Sequence, residues 1–292
     1  LRGPEAGTDD LDLLIDAALA SGEIARGFAQ RGYQTWEKAD DQGPVTEADL
    51  AVNTMLHREL GAARPHYGWL SEESPDHDAR LSQDRVFIID PIDGTRAFVN
   101  GRETWAHSLA VATGGRITAA VVYLPMKDRL YAAAAGRGAT LNGVPILCTA
   151  QSQLSGATVL AARPNFDAAN WRQTVPDFDR VYRPSLAYRL SLVGQGRFDA
   201  MLTLRPSWEW DIAAGSLIVE ESGAIASDRI GGPLRFNNPR PLLNGVIAAG
   251  PVLHEKMVAE LAPRRPRNID AAPHGAPTDR PLGAPGLPPR RE

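Results

Sequence analysis

The chain has 292 residues and a formal net charge of −4; 43% of it is hydrophobic and 23% charged, the balance of a soluble globular protein with room for one large domain or two ordinary ones. The weak negative charge gives no reason to expect nucleic acid or an anionic membrane as a main partner, and no apolar run approaches membrane-spanning length. The single cysteine, Cys148, excludes an internal disulfide and suits a reducing cytosol.

The acidic start LRGPEAGTDDLD is unlike a signal peptide. Asp9 to Gly32 predicts a helix, with Leu11, Leu14, Ile15, Ala18 and Leu19 on one face and acids in its first turn. VTEADLAVNTMLHRELG predicts a second helix with Gly61 as its C-cap. YGWLSEES and DRVFIID read as strands that end in acids, and the second runs through DGT into a short helix. WAHSLAVATGGRITAAVVYL alternates on both sides of Gly114-Gly115 and predicts a hairpin; RLYAAAAGRGATLNG adds strands and a turn. Residues 1–145 are therefore expected to form an α+β domain with antiparallel pairing. After Gly143 the pattern changes: GATVLAAR (strand), SLAYRLSLVGQG (helix), FDAMLTL (strand), DIAAGSLIVEESG (helix), GVIAAG (strand) and PVLHEKMVAEL (helix) alternate, which predicts an α/β domain over 146–262. Residues 263–292 carry eight of the 23 prolines and six arginines with few large apolar residues, so they are expected to be a disordered, solvated tail.

Four motifs carry chemistry. In VFIIDPIDGTRAF, Asp90 and Asp93 follow an apolar run that should be buried, and burying unpaired carboxylates is costly. A polar turn would account for Pro91 and Gly94 but not for acids placed there. The stretch offers no Lys or Arg before Arg96, so a bound metal is the natural cation. Phosphatases that use D-x-D-G-T take the first Asp as a covalent nucleophile; Pro91 stands at that place and excludes that chemistry. In WLSEES, adjacent Glu72 and Glu73 on a strand point to opposite faces, so one of them can join a site. Thr46 and Asp49 in VTEAD read as a capping box, and Asp211 in EWDIAAG as an acid favoured at a helix start. His57, His66, His77 and His107 lack metal-ligand spacing and read as ordinary core or surface residues; no G-x-S-x-G, Walker loop or G-x-G-x-x-G occurs.

Taken together and in this order, VTEAD, SEES, DPIDGTRAF and EWDIAAG resemble the inositol monophosphatase-like, magnesium-dependent phosphomonoesterases, from about Asp9 to Leu261. The resemblance implies a layered αβαβα sandwich of the inositol monophosphatase/fructose-1,6-bisphosphatase type. Residues 1–145 would then bind metal and phosphate, and 146–262 would set substrate specificity. It implies two or three Mg²⁺ held by Glu72, Asp90, Asp93, Asp211 and the carbonyl of Ile92, all hard oxygen donors. Thr95 and Asp49, with Glu72, would orient and deprotonate the attacking water, and the N–H groups of Gly94 and Thr95 would hold phosphate. Metals about 3.5–4 Å apart would clamp the phosphate, with no phospho-enzyme. Lithium inhibition, a cytoplasmic location and a small phosphate ester as partner follow, and a homodimer is compatible with related enzymes. The implied esters are inositol monophosphates, 3'-phosphoadenosine 5'-phosphate and histidinol phosphate. Inositol phosphatases place an acid about seven residues before the W-D aspartate; here Thr203 and Leu204 stand there. Bisphosphate nucleotidases carry a cation where Arg189 stands, so that reading is favoured, with Arg189 and Glu209 as candidate substrate contacts. Fructose bisphosphatase activity and a catalytically silent metal-binding partner protein are the remaining alternatives.

Overall fold

The computed structural model describes residues 6–38 and 43–262; the expected tail, 263–292, lies outside the described residues. Helix α1 (Ala6–Arg31) is followed by the short strands β1 (Thr35–Glu37) and β2 (Pro44–Thr46), helix α2 (Glu47–Ala63), and strands β3 (Gly68–Ser71) and β4 (Arg85–Asp93). Helix α3 (Thr95–Val99) leads to β5 (Ala106–Thr113), β6 (Arg116–Leu124), β7 (Arg129–Ala134), β8 (Ala139–Leu141) and β9 (Val144–Ile146). The rest comprises β10 (Thr158–Leu160), β11 (Asp179–Val181), α4 (Leu186–Gly194), β12 (Ala200–Thr203), β13 (Ser207–Trp208), α5 (Glu209–Glu221), β14 (Ile225–Ser227), β15 (Leu242–Leu243), β16 (Val246–Ala249) and α6 (Pro251–Glu260).

Strands β3 to β9 form a seven-stranded sheet in sequence order, and β11-β10-β12-β16-β14 form a mixed five-stranded sheet. Period-two alternation decides what each face covers. On β4, Phe87 and Ile89 pack with Leu14, Val52 and Leu56 of α1 and α2. Val86 and Ile88 face the opposite way, into a core shared with α4 and α5. Beyond the five-stranded sheet, Val159, Leu202 and Ile247 pack with Leu253 and Met257 of α6. The order is thus helix, sheet, helix, sheet, helix, the expected α/β layered sandwich. Among the described residues no helix is long and apolar enough to cross a membrane.

Several details depart from the sequence reading. The inner face of α1 is Leu14, Ala17, Ala18 and Ala25, while Leu19 is 42% exposed, because α1 meets the sheet along a stripe of small residues. Gly22 lies on that stripe, where a Cβ would come within 2.6 Å of Tyr123. Helix α2 runs past Gly61 and ends at Ala63, with Arg64 closing it by an N–H bond to the Leu60 carbonyl. The first half is not wholly antiparallel: β3 pairs parallel with β4, Ser71 opposite Ile89. Parallel pairing brings the C-terminal ends of both strands to the same edge, so Glu72 emerges beside Asp90.

Candidate active site

The end of β4 is bent by a bulge. Asp90 pairs with Ser108 and Asp93 with Ala106, so Pro91 and Ile92 together face His107. Bulges recur next to active sites because they re-aim the residues they carry. Glu72 follows β3 and its N–H donates to the Ile89 carbonyl at 3.2 Å. Asp211 enters from the first turn of α5, and Ser108 Oγ donates to the Trp210 carbonyl at 2.9 Å, tying that turn to β5. Carboxylate oxygens of Glu72, Asp90 and Asp211 thereby lie within 4.8 Å of one another.

This cluster is short of positive charge. Asp90 is 1% exposed and its Oδ1 has no hydrogen-bond partner. Burial raises the carboxyls of Asp90 and Asp211 well above the usual range, and the neighbouring acids add to it. Burial also pushes Asp93 up to about 6, against the pull of Ser185 and Ala187. Its Oδ2 accepts from Ser185 Oγ and the Ala187 N–H, both at 2.6 Å, so the start of α4 fixes it. Three carboxylates in mutual reach, one of them carrying an orphaned, buried oxygen, fit a hard divalent cation such as Mg²⁺. The carbonyl of Ile92 sits 3.1 Å from Thr95 Oγ1, which is also 3.2 Å from Asp49 Oδ1. Asp49 is a capping-box acid as well: its Oδ2 accepts the Thr46 N–H at 2.8 Å, and burial pushes it up to about 6. Gly94, with φ +98°, is the turn that begins α3, and the first N–H groups of a helix lack intrahelical acceptors.

Glu72 and Glu73 correct the opposite-faces expectation. Both lie past the end of β3, and both accept from Lys38 Nζ, the bond to Glu72 being 2.7 Å. Burial pushes Glu73 up to about 8, with Glu72 as the next cause. Burial also disfavours the Lys38 ammonium, but the two carboxylates outweigh it and raise its pKa. The strand-end motifs carry no signal for Lys38, because it comes from the segment between β1 and β2.

Arg189 is no surface helix charge. It is 7% exposed, its Nε donates to the Arg183 carbonyl, and its guanidinium stacks 4.7 Å over the Tyr182 ring. It lines a cavity of about 400 Å³ with Tyr182, Thr203, Arg205, Arg229 and Asn244. Glu209 departs from its expected role as a substrate contact. It is fully buried, and its carboxylate accepts from the Asn237 N–H at 2.6 Å, the Asn238 N–H at 2.9 Å and Asn238 Nδ2 at 2.6 Å. Arg80, from the short 3₁₀ turn after Glu72, holds the same two asparagines by their side chain and carbonyl. Sequence reasoning passed over Ser185, although a Ser before an apolar helix is a cap signal; its φ of +66° shows that the backbone there is held under strain.

A sequence profile of the inositol monophosphatase family matches residues 9–265. The chain is 31% identical to Nus factor SuhB of Escherichia coli K12 over 266 residues, 85% of this chain and 95% of that protein. It is also 31% identical to the inositol-1-monophosphatase of Rhizobium meliloti over 254 residues, 82% of this chain and 91% of that one. Among solved structures, an IMPase of Thermotoga maritima superposes with a TM-score of 0.74 at 28% identity, covering 86% of this chain and 96% of that one. Profile, relatives and fold agree over nearly the whole chain, and the protein belongs to the inositol monophosphatase family of phosphatases.

Proposed function

We propose that the protein is a Mg²⁺-dependent phosphomonoesterase whose preferred substrate carries a second phosphate on its leaving group, with 3'-phosphoadenosine 5'-phosphate cleaved to AMP and phosphate as the best fit. The observation that carries the reaction class is the orphaned Asp90 Oδ1 facing Glu72 and Asp211. Glu72, Asp90, Asp93, Asp211 and the Ile92 carbonyl hold the metal, two or three ions per site. When bound, Mg²⁺ lowers the pKa of water and neutralises charge on the phosphoryl oxygens. Asp49 and Thr95, already in contact, orient the attacking water, and the raised Asp49 carboxyl takes its proton. The N–H groups of Gly94 and Thr95 orient the phosphate.

The substrate choice rests on the half comprising residues 146–262. Leu204 stands where an acid would grip a polyol, and Arg189, Arg205 and Arg229 line one cavity. A charged fork suits phosphate better than a ring of hydroxyls. A second reading, inositol 1-phosphate, is favoured by the name of the Rhizobium relative. The lone, half-buried Cys148 suits action in the cytoplasm. The test is a phosphate-release panel with Mg²⁺, with and without lithium, over 3'-phosphoadenosine 5'-phosphate, inositol 1-phosphate and histidinol phosphate. The bisphosphate is expected to give the highest kcat/KM and to be inhibited by lithium. Equal or faster release from inositol 1-phosphate overturns the substrate choice, and release that persists in EDTA overturns the metal.

A further inference from the structure

We infer that His107 is a positioning residue for the metal-holding end of β4, acting through the carbonyl of Pro91. The bulge sets Pro91 and Ile92 against the single residue His107, so one of the two loses its place in the ladder. Pro91 has no N–H, and its carbonyl lies in a fully buried stretch where an unmet acceptor is costly. The His107 side chain meets it: Nδ1 lies in hydrogen-bond contact with the Pro91 carbonyl. A carbonyl only accepts, so Nδ1 carries the proton and Nε2 is a bare acceptor. Nε2 is buried without a partner in a residue that is 0% exposed. Trp105 packs edge-on against the ring at 5.5 Å and Tyr123 lies tilted to it at 6.3 Å, so the imidazole is held from two sides.

An apolar side chain would fill this space without stranding a nitrogen. What the imidazole adds is the donor that the bulge takes away. The pyrrolidine ring already fixes φ of Pro91, and the direction of its carbonyl reports ψ. With both dihedrals set, the course of the chain from Asp90 to Ile92 is set, and with it the aim of Asp90 Oδ1 and of the Ile92 carbonyl. The inference rests on the proposed metal role of those two groups.

The test uses the full chain and two variants. His107→Asn keeps a side-chain N–H at the reach of Nδ1; His107→Leu removes it. Both lose ring packing, so both should melt below wild type. Calorimetric Mg²⁺ binding separates them: His107→Leu should bind Mg²⁺ about 10-fold or more weakly, and His107→Asn within about threefold of wild type. Wild-type affinity in His107→Leu, or equal loss in both variants, overturns the inference while the metal site stands. If His107→Leu does not fold, His107→Val carries the same comparison. Absence of Mg²⁺ binding by wild type itself overturns the metal reading and this inference together.

Discussion

At the end of β4, Glu72, Asp90 and Asp211 bring carboxylate oxygens within 4.8 Å of one another, and Lys38, bonded to Glu72, is the one cation hydrogen-bonded to this cluster among the described residues. Around the cavity beside α4, by contrast, Arg189 is buried against the Arg183 carbonyl and the Tyr182 ring, and Arg229 Nη1 donates to the Leu204 carbonyl at 2.7 Å. The two regions hold opposite charge and satisfy it differently. Neutral dipoles and a π-face compensate the arginines, so that region is stable as it stands and can accept an anion. The acids are met only in part: Asp93 accepts from Ser185 and Ala187 and Glu72 from Lys38, but Asp90 Oδ1 has no hydrogen-bond partner, so that region suits an added cation. On the proposed function, a phosphate ester would meet metal at one end and guanidinium at the other.

The strongest break of this contrast is Asp90→Asn. It should lower kcat on the order of 10³-fold or more, yet raise the melting temperature in EDTA by removing buried charge. Thermal melts and phosphate release on the same sample check both, and a variant that loses activity and stability together would make Asp90 merely structural. Next comes Arg189→Met, which keeps the bulk and removes the charge. For 3'-phosphoadenosine 5'-phosphate, kcat/KM should fall about 10- to 100-fold, mostly through KM, with p-nitrophenyl phosphate little changed. The smallest effect is on pH. Asp49 and Asp93 have folded pKa values raised to about 6 from 3.8. Each therefore holds its proton in the folded state after the unfolded chain has lost it. Their stabilisation is complete below pH 4 and is lost as pH rises through about 6. In EDTA, urea unfolding should show the protein less stable at pH 8 than at pH 5 by about 1 kcal/mol per group, and Mg²⁺ should restore the difference at pH 8.

Much of this was legible in the sequence because local chemistry dictates it. The apolar run VFII and the alternation around the Gly114-Gly115 hairpin gave the strands, and Thr46-to-Asp49 spacing gave the cap. What stayed hidden depends on partners distant in sequence. Pro91 and Ile92 reveal a bulge only once their strand is paired with His107. Glu209, the first residue of EWDIAAG, was expected at the substrate and instead joins Arg80 through Asn237 and Asn238. That link spans α5, the loop before β15 and the turn after Glu72, and no spacing rule encodes it. Leu19 was misplaced because the stripe that docks on β6 is made of small residues, which hydrophobicity ranks below leucine.

Lys38 between Glu72 and Glu73 bears on the order of events in the life of the chain. With no metal present, the ammonium offsets part of the carboxylate charge that would otherwise resist closing the site. On the proposed metal reading, an arriving divalent ion would exchange with a cation the polypeptide already carries. Its net gain would then be smaller than at a bare negative site, and occupancy would follow the free Mg²⁺ around the protein.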